Sequence, residues 1–343
     1  MIEGHGDDMY RYGSAPKTNF SSNIYSHADL SGLTSHLAGR LGVIGSYPEP
    51  EAYSLERAVA RHCNIPPKNV MVTSGATEAI YLTAQTFRGT EAAVLQPTFR
   101  EYADACTIHG CHVTSLYTLP AADCDYRLPH NIRMCWICNP NNPTGTVLDK
   151  EYVLNLIGNN SEVLFVFDQS YEDFTLRPLL SAAETLVFDN VLLLHSMTKK
   201  YCVPGIRLGF ITGNDGLLSR LRSNRMPWSV NAVAIEAGLY LLEHGVDNIP
   251  PLESRLLEAQ RLRSKLNALG ALEAWSTDTH FMLVQLRTGH ASALKDYLMH
   301  NHSLLIRDAS NFEGLDERFF RIAAQDPDEN DALVQAVADW LME

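Results

Sequence analysis

Positive charge is scarce in this sequence, and long apolar stretches are missing from it. Its 343 residues include 27 lysines and arginines against 40 aspartates and glutamates, a formal net charge of −13. Nucleic-acid-binding proteins present basic surfaces, so this balance argues against that class. No run approaches the roughly 18 apolar residues that a membrane-spanning helix needs, and the amino terminus lacks the basic start and apolar stretch of a secretory signal. We therefore expect a soluble, cytoplasmic protein that binds neither nucleic acid nor membrane.

The cysteines do not form a convincing metal-binding or disulfide pattern. There are seven, an odd number that fits reduced thiols better than a disulfide framework. Cys135 and Cys138 have zinc-like spacing, but they lie in an apolar strand-like run, where residues three apart face opposite sides of a sheet. The segment 106–112 mixes cysteine with histidine but has no distant partner pair. We expect no bound metal.

What the sequence does contain is a regular alternation of short apolar runs and helical spacing. Between residues 46 and 230 this alternation is typical of a mostly parallel, doubly wound sheet with helices on both faces. After residue 230, long helical runs with few strands indicate a smaller α+β domain. Residues 1–45 are largely irregular, as in an arm that packs on another domain or subunit. The expected division is an arm (1–45), a large domain (46–230) and a small domain (231–343).

Polar and aromatic side chains recur where successive predicted strands end, which is where open parallel sheets bind ligands. The turn 196–209 is strongly cationic, and the small-residue turn 74–77 leaves backbone N–H groups free at a helix start, where an anion is favoured. Taken singly, each could be an ordinary solvated loop. Together with Phe99, Asn142 and Asp168 they offer partners for a phosphate, an aromatic ring, a phenolic oxygen, a ring nitrogen and an aldehyde. Pyridoxal 5′-phosphate carries those groups.

The same positions form motifs that resemble the fold-type I pyridoxal-phosphate enzymes of the class I/II aminotransferase superfamily. In chain order the motifs are Gly-His-Gly at 4–6, Phe-Ser-Ser-Asn at 20–23, Asn-Pro-Asn-Asn-Pro-Thr-Gly at 139–145, Ser-x-Thr-Lys-x-x-x-x-Pro-Gly-x-Arg-x-Gly at 196–209, Met-Pro-Trp-Ser-Val-Asn at 226–231, Leu-Ile-Arg at 305–307 and Phe-Arg at 320–321. The chain is similar to histidinol-phosphate aminotransferases, and more so to the threonine-phosphate decarboxylases of cobalamin biosynthesis. The resemblance implies a three-layer α/β transferase fold with a mostly parallel large-domain sheet and a smaller α+β domain, and a homodimer.

The resemblance also implies how the cofactor is held. Lys199 would bind it as a Schiff base and shuttle a proton, and the spacing to Arg207 favours this lysine over Lys200. Asp168 would face the pyridine nitrogen and keep it protonated. Phe99 would stack on the ring, with Tyr102 as the alternative. The other implied cofactor contacts are Gly75, Ala76, Thr77, Asn142, Tyr171, Ser196, Thr198 and Arg207, with Tyr47 reaching the cofactor of the neighbouring subunit.

Substrate recognition is implied at four positions. Arg321 matches the arginine that binds the acidic end of the substrate, Arg307 matches one used for a substrate phosphate, and His5 and Asn23 match residues that close over the substrate. The implied substrate is therefore a small phosphorylated amino acid.

The resemblance leaves the reaction open. Decarboxylation of L-threonine O-3-phosphate to aminopropanol phosphate is the first expectation. An aminotransferase of the histidinol-phosphate type is the alternative, and a non-catalytic or regulatory cofactor-binding protein is a third. Two positions depart from the family pattern: Gln169 stands where glutamate is usual, and Gln325 stands where the decarboxylases have a second arginine.

Overall fold

The computed structural model describes residues 8–117 and 128–342, which form one large sheet, one small sheet and the helices around them. The strands are β1 (Thr18–Asn19), β2 (Val70–Thr73), β3 (Glu91–Gln96), β4 (His112–Tyr117), β5 (Met134–Cys138), β6 (Leu164–Asp168), β7 (Val191–Ser196), β8 (Gly209–Gly213), β9 (Leu272–Ala274), β10 (Phe281–Leu286), β11 (Leu304–Leu305), β12 (Arg307–Asp308) and β13 (Phe319–Ala323). The α-helices are α1 (Ser31–Arg40), α2 (Tyr53–His62), α3 (Gly75–Thr86), α4 (Glu101–Ile108), α5 (Lys150–Gly158), α6 (Ala182–Thr185), α7 (Met197–Lys200), α8 (Asp215–Arg222), α9 (Ala232–His244), α10 (Leu252–Ala268), α11 (Ala291–His302) and α12 (Pro327–Met342). None of these helices combines the length and apolar character needed to cross a bilayer.

The large sheet has seven strands in the order β2-β8-β7-β6-β5-β3-β4. Every pairing is parallel except those of β8, which runs antiparallel to both of its neighbours. This confirms the predicted mostly parallel sheet of an α/β fold. The carboxyl ends of β2, β3, β5, β6 and β7 therefore meet at one edge, and the start of β8 lies at the same edge.

Both faces of the large sheet are covered, which explains why its strands are apolar at successive positions rather than at alternate ones. In β5 and β6 every residue is buried. Trp136 and Cys138 pack with α3 and α4 on one face, whereas Cys135 and Ile137 pack with α5 on the other. The two cysteines of the zinc-like spacing therefore face opposite sides, as strand alternation predicts.

The small sheet is antiparallel, with the order β12-β13-β10-β9. Helices α10, α11 and α12 cover one of its faces, and their apolar residues form a single core with those of β10 and β13. The pairing between β12 and β13 sets Arg307 directly opposite Arg321.

The first described residues of the chain pack on the small domain, and those that follow pack on the large domain. β1 pairs in parallel with β11, and the Phe20 N–H donates to the Leu305 carbonyl at 2.8 Å. Helix α1 instead packs on α9, which itself packs on α2 and the core around β2 and β8. We therefore propose that the large domain extends past the expected boundary at residue 230 and includes α9.

Two elements differ from the sequence-based expectation. The antiparallel strand β8 was not anticipated, because its five residues lie directly after the cationic motif and begin and end with glycine. The sequence pattern from Ser303 to Arg307 predicts one continuous strand, whereas the structure divides this stretch into β11 and β12, which pair with different partners.

Candidate active site

A cavity of about 280 Å³ lies at the edge of the large sheet where the parallel strands end. Residues of the arm and of the small domain complete its walls. The sequence-predicted residues that line it are Ala76, Thr77, Phe99, Asn142, Asp168, Tyr171, Ser196, Thr198, Lys199, Arg207, Arg307 and Arg321. Gly75, Asn23 and Tyr47 are not in its lining, and His5 lies outside the described residues. The structure therefore brings most of the predicted positions to one place.

The two adjacent lysines face different cavities. Lys199 lines the 280 Å³ cavity, where its amine donates to the Ser22 carbonyl at 3.1 Å and lies 6.0 Å from the centre of the Tyr171 ring. Lys200 points into a second cavity behind helix α7 and forms a 2.9 Å ion pair with Asp173. Helix geometry separates consecutive side chains by about 100°, so only one of the two amines can face the strand ends. That amine belongs to Lys199.

Helix α3 begins at this edge directly after β2 and forms an anion cradle. Ala76 and Thr77 lie in its first turn, where backbone N–H groups have no partner within the helix and the dipole favours negative charge. Gly75 has φ +76°, and a Cβ added to it would lie 2.9 Å from Nη2 of Arg207. Arg207 is itself left-handed, with φ 56°. The absence of a side chain at position 75 thus lets the guanidinium lie against the start of the helix.

Asp168 ends β6 as a buried carboxylate with two fixed donors. The Tyr102 hydroxyl donates to its Oδ2 at 2.7 Å and the Ser170 N–H donates to its Oδ1 at 2.8 Å. Burial raises the pKa of Asp168, while these two hydrogen bonds and the nearby His195 oppose that rise. The sequence offered Tyr102 only as an alternative stacking residue. Both rings line the cavity, Phe99 lies edge-on to Tyr102 at 5.8 Å, and the Tyr102 hydroxyl is committed to Asp168.

Arg321 lies on β13 and is fully buried at the opposite wall. It donates to Asn142 Oδ1 at 2.5 Å and to the Ser21 carbonyl, and its Nε is buried with no acceptor among residues 8–117 and 128–342. Burial lowers the pKa of Arg321 to about 10, so the side chain is still a cation at neutral pH. Tyr171 lies nearby, and burial raises the pKa of its phenol to about 12.

Arg307, on β12, is the second buried guanidinium of this wall. It donates to Asn311 Oδ1 at 2.7 Å and to the Asp308 carbonyl, and it lies 5.3 Å from the centre of the Phe312 ring. Burial lowers its pKa to about 10 as well. Within the described part of the chain, neither Arg307 nor Arg321 forms an ion pair with a carboxylate. Two buried positive charges therefore face the cavity without an ion-paired carboxylate among the described residues, which is costly unless an anion binds there.

The remaining predicted positions lie around the cavity rather than in its lining. Asn23 is fully buried with φ 56°, and no residue in the described part of the chain forms a hydrogen bond with its side-chain amide. Tyr47 is 87% exposed and lies 5.5 Å from the Trp228 ring. Gln169 donates to the Leu180 carbonyl at 3.1 Å. Gln325 accepts from the Ser26 N–H and donates to the Ile24 carbonyl, so it anchors the arm instead of facing the cavity.

The sequence assigned no role to some cavity residues, although the motif 20–23 contains two of them. Ser21 and Ser22 contribute backbone carbonyls, which no side-chain pattern can reveal. Phe312 enters from a loop without a motif.

The donor set fits pyridoxal 5′-phosphate. The cavity contains an amine at Lys199, a buried carboxylate at Asp168, an aromatic face at Phe99, and an anion cradle where α3 meets Arg207. Each group of the cofactor thus has one chemically matched partner, and the cradle is open because position 75 is glycine.

Known proteins share this architecture along nearly the whole chain. The model of the family described as "Aminotransferase class I and II" matches residues 15–337. The crystal structure of L-threonine-O-3-phosphate decarboxylase from Porphyromonas gingivalis is 34% identical and covers 95% of this chain and 100% of that one, with a TM-score of 0.90.

Curated relatives show the same likeness in sequence. A threonine-phosphate decarboxylase of Salmonella typhimurium is 28% identical over 94% of this chain and 91% of its own length. A histidinol-phosphate aminotransferase of Thermoanaerobacter pseudethanolicus is 27% identical over 87% of this chain and 85% of its own. The cavity geometry and these likenesses agree, and the chain belongs to the class I and II aminotransferase family.

Proposed function

We propose that this protein decarboxylates L-threonine O-3-phosphate and releases aminopropanol phosphate. The chain is a pyridoxal 5′-phosphate-dependent enzyme of the group that contains the threonine-phosphate decarboxylases and the histidinol-phosphate aminotransferases. Within that group, the observation that carries the proposal is the cross-strand pair of Arg307 and Arg321.

Like charges directly opposite each other on neighbouring strands repel, and burial strengthens that repulsion. Both guanidiniums line the same cavity, and neither pairs with a carboxylate of the described residues. A small substrate with two anionic groups compensates both charges. L-Threonine O-3-phosphate has a carboxylate and a phosphate, whereas histidinol phosphate has only the phosphate.

The cofactor-binding roles follow from the walls of the cavity. Lys199 would bind the aldehyde carbon, Asp168 the pyridine nitrogen, and Asn142 with Tyr171 the phenolic oxygen. Phe99 would stack on the ring. The phosphate would lie against Arg207, Ser196 and Thr198 and the backbone of residues 75–77. When bound, the cofactor withdraws the electron pair that remains on Cα after a bond to it breaks.

The side chains of this protein would direct which bond breaks. Arg321 would hold the substrate carboxylate and Arg307 its phosphate, which fixes the orientation of the bonds at Cα. Asp168 would hold the proton on the pyridine nitrogen, because its buried carboxylate has no other cation within hydrogen-bonding distance among the described residues. After carbon dioxide leaves, the amine of Lys199 would deliver a proton to Cα.

The exposed aromatic pair of Tyr47 and Trp228 supports a homodimer. Leu41, Ile44 and Met226 are also exposed, so several apolar side chains close to this pair in the sequence face solvent. We propose that a second copy covers this surface and that Tyr47 reaches the partner's cofactor phosphate. Sedimentation of the purified protein tests the dimer.

One observation favours the aminotransferase as the second candidate. Gln325 stands where a second arginine was expected in the decarboxylases, and it is used to anchor the arm. The missing charge fits a substrate with fewer anionic groups, such as histidinol phosphate.

A single incubation separates the two candidates. With L-threonine O-3-phosphate and no keto acid, the cofactor-loaded protein should release carbon dioxide and aminopropanol phosphate. If no carbon dioxide is released from L-threonine O-3-phosphate, or if the protein transfers the amino group of histidinol phosphate to a keto acid, the decarboxylase assignment is wrong.

The adjacent lysines supply matched variants for this assay. Lys199→Ala should lose both the visible absorption of the bound cofactor and all turnover. Lys200→Ala should keep both, because its amine pairs with Asp173 in the other cavity. Equal loss in the two variants would refute the assigned role of Lys199.

A further inference from the structure

One carboxylate of the small domain joins the loop 309–315 to the large sheet. Glu313 Oε1 accepts from the Ser115 hydroxyl at 2.6 Å and from the Tyr117 hydroxyl at 2.8 Å, both on β4. Its Oε2 accepts from Gln96 Nε2 at 3.2 Å, at the end of β3. Three donors from two large-domain strands thus converge on one side chain.

The backbone next to Glu313 makes a close contact at the same place. Gly314 has φ +89°, and a Cβ added to it would lie 2.9 Å from Cε1 of Tyr117. The left-handed backbone favours glycine there, and a side chain at this position would also displace the Tyr117 ring. Tyr117 thus contacts this loop in two ways, through its hydroxyl and through its ring, which indicates that the loop is fitted to the strand.

The loop leads directly to the substrate wall of the cavity. Phe312, one residue before Glu313, is buried and lines the cavity, and the Arg307 guanidinium lies 5.3 Å from the centre of its ring. Asn311, one residue earlier, accepts from Arg307 Nη2 at 2.7 Å. The position of the Arg307 charge thus depends on where residues 311 and 312 lie.

Gln96, one of the three donors to Glu313, also contacts the turn that leads to the predicted cofactor-stacking residue. Gln96 is buried, and its side-chain oxygen accepts from the Thr98 N–H at 3.0 Å, which fixes the turn that leads to Phe99. Gln96 therefore links the expected stacking ring on one wall to Glu313 on the other.

We propose that Glu313 is a positioning residue that holds the loop 309–315 on β3 and β4, and so places Arg307 and Phe312 for the phosphate end of the substrate. This inference rests on the proposed function for the identity of the substrate. Its structural content, the attachment of the loop, is independent of it.

Glu313→Ala removes the acceptor and leaves the donors on the sheet in place. Hydrogen bonds of this kind contribute modestly one by one, so the loss of all three should raise the KM for L-threonine O-3-phosphate, and the inhibition constant of inorganic phosphate, by about 5- to 30-fold. The absorption and affinity of the bound cofactor should stay unchanged, and kcat should change less than KM. Amide hydrogen exchange in residues 309–318 should become faster.

Two further variants complete the test. Glu317→Ala, which changes an exposed glutamate four residues further along the chain, is the matched control and should leave KM and hydrogen exchange unchanged. The double variant Ser115→Ala, Tyr117→Phe removes donors on the sheet side and should raise KM in the same direction. When the double variant is combined with Glu313→Ala, KM should rise little further, because both changes remove the same hydrogen bonds.

The outcomes separate the two hypotheses. The inference is overturned if Glu313→Ala has the same KM and hydrogen exchange as Glu317→Ala, or if its KM rises without faster amide exchange in the loop. It is also overturned if the effects on KM of Glu313→Ala and of the double variant are fully additive. If the wild-type protein does not turn over L-threonine O-3-phosphate, the proposed function fails. Hydrogen exchange and phosphate binding in the variants still test whether Glu313 holds the loop in place.

Discussion

Replacing Tyr102 with phenylalanine removes one hydrogen bond from the base of the cavity and little else. The ring is 1% exposed and stacks on Trp136 at 5.4 Å, and phenylalanine preserves that packing. What disappears is the 2.7 Å hydrogen bond to Asp168, which leaves the buried carboxylate with the Ser170 N–H as its donor among the described residues. We expect the free energy of cofactor binding to change through Asp168 alone.

The magnitude follows from the charge of the acceptor. Hydrogen bonds to ionised groups contribute about 1.5–3 kcal/mol, which corresponds to about 10- to 160-fold in a dissociation constant. Burial already raises the pKa of Asp168 and the Tyr102 hydroxyl opposes that rise, so the variant should have a still higher pKa at this position. Cofactor binding needs the ionised carboxylate. Its affinity should therefore fall as the pH decreases through that pKa, and the fall should begin at higher pH in the variant.

Titration of the apoprotein with pyridoxal 5′-phosphate, followed by absorbance over the acidic to neutral range, measures both effects. Tyr81→Phe is the matched control, because the Tyr81 hydroxyl donates to Glu101 at 2.7 Å outside the cavity. Wild-type affinity and an unshifted pH profile in Tyr102→Phe would refute the reasoning. So would an equal loss in both variants, since that would indicate a general effect of losing a tyrosine hydroxyl.

Three other changes have clear expected results. Gly75→Ala should weaken cofactor binding by about 10-fold, since it strains a left-handed backbone and displaces the Arg207 guanidinium; unchanged affinity in an equilibrium titration would contradict the cradle. Arg321→Met should raise the KM for L-threonine O-3-phosphate by about 30-fold or more, and steady-state kinetics with an unchanged KM would count against carboxylate binding there. Gly209→Ala should lower the free energy of unfolding by about 1–3 kcal/mol, because its Cβ would lie 2.6 Å from the His195 carbonyl oxygen; denaturant unfolding measures this, with the unobstructed Gly42→Ala as the control.

The sequence predicted the sheet because burial on both faces produces a recognisable pattern of apolar residues. Strands such as β5 and β6 are apolar at every position, and they recur at regular intervals between helical runs. The carboxyl ends of parallel strands must meet at one edge of the sheet. The sequence therefore predicts that side chains at those ends, such as Asp168 and Lys199, lie near each other. That part of the candidate site follows from topology.

Contacts between distant segments could not be predicted in the same way. The Tyr102 hydroxyl and Asp168 are 66 residues apart, and Glu313 is 198 residues from Ser115. Neither pairing has a periodicity or a motif, because each depends on how two distant segments approach: a helix and a strand end in the first case, a loop and a strand in the second. The carbonyl of Ser22 is invisible to any side-chain pattern. The strand β8 was missed because its glycines resemble turn residues.

The reversed direction of β8 has a consequence for synthesis of the chain. β2 is the edge strand of the large sheet, and β8 is its sole partner among the described strands. All four residues of β2 are buried in the finished protein. A ribosome makes β2 long before β8, so this apolar strand stays unpaired until residues 209–213 have emerged. Nascent chains that stop before that point should depend on chaperones and should be unable to retain the cofactor, because α3 cannot be fixed against Arg207 without β8.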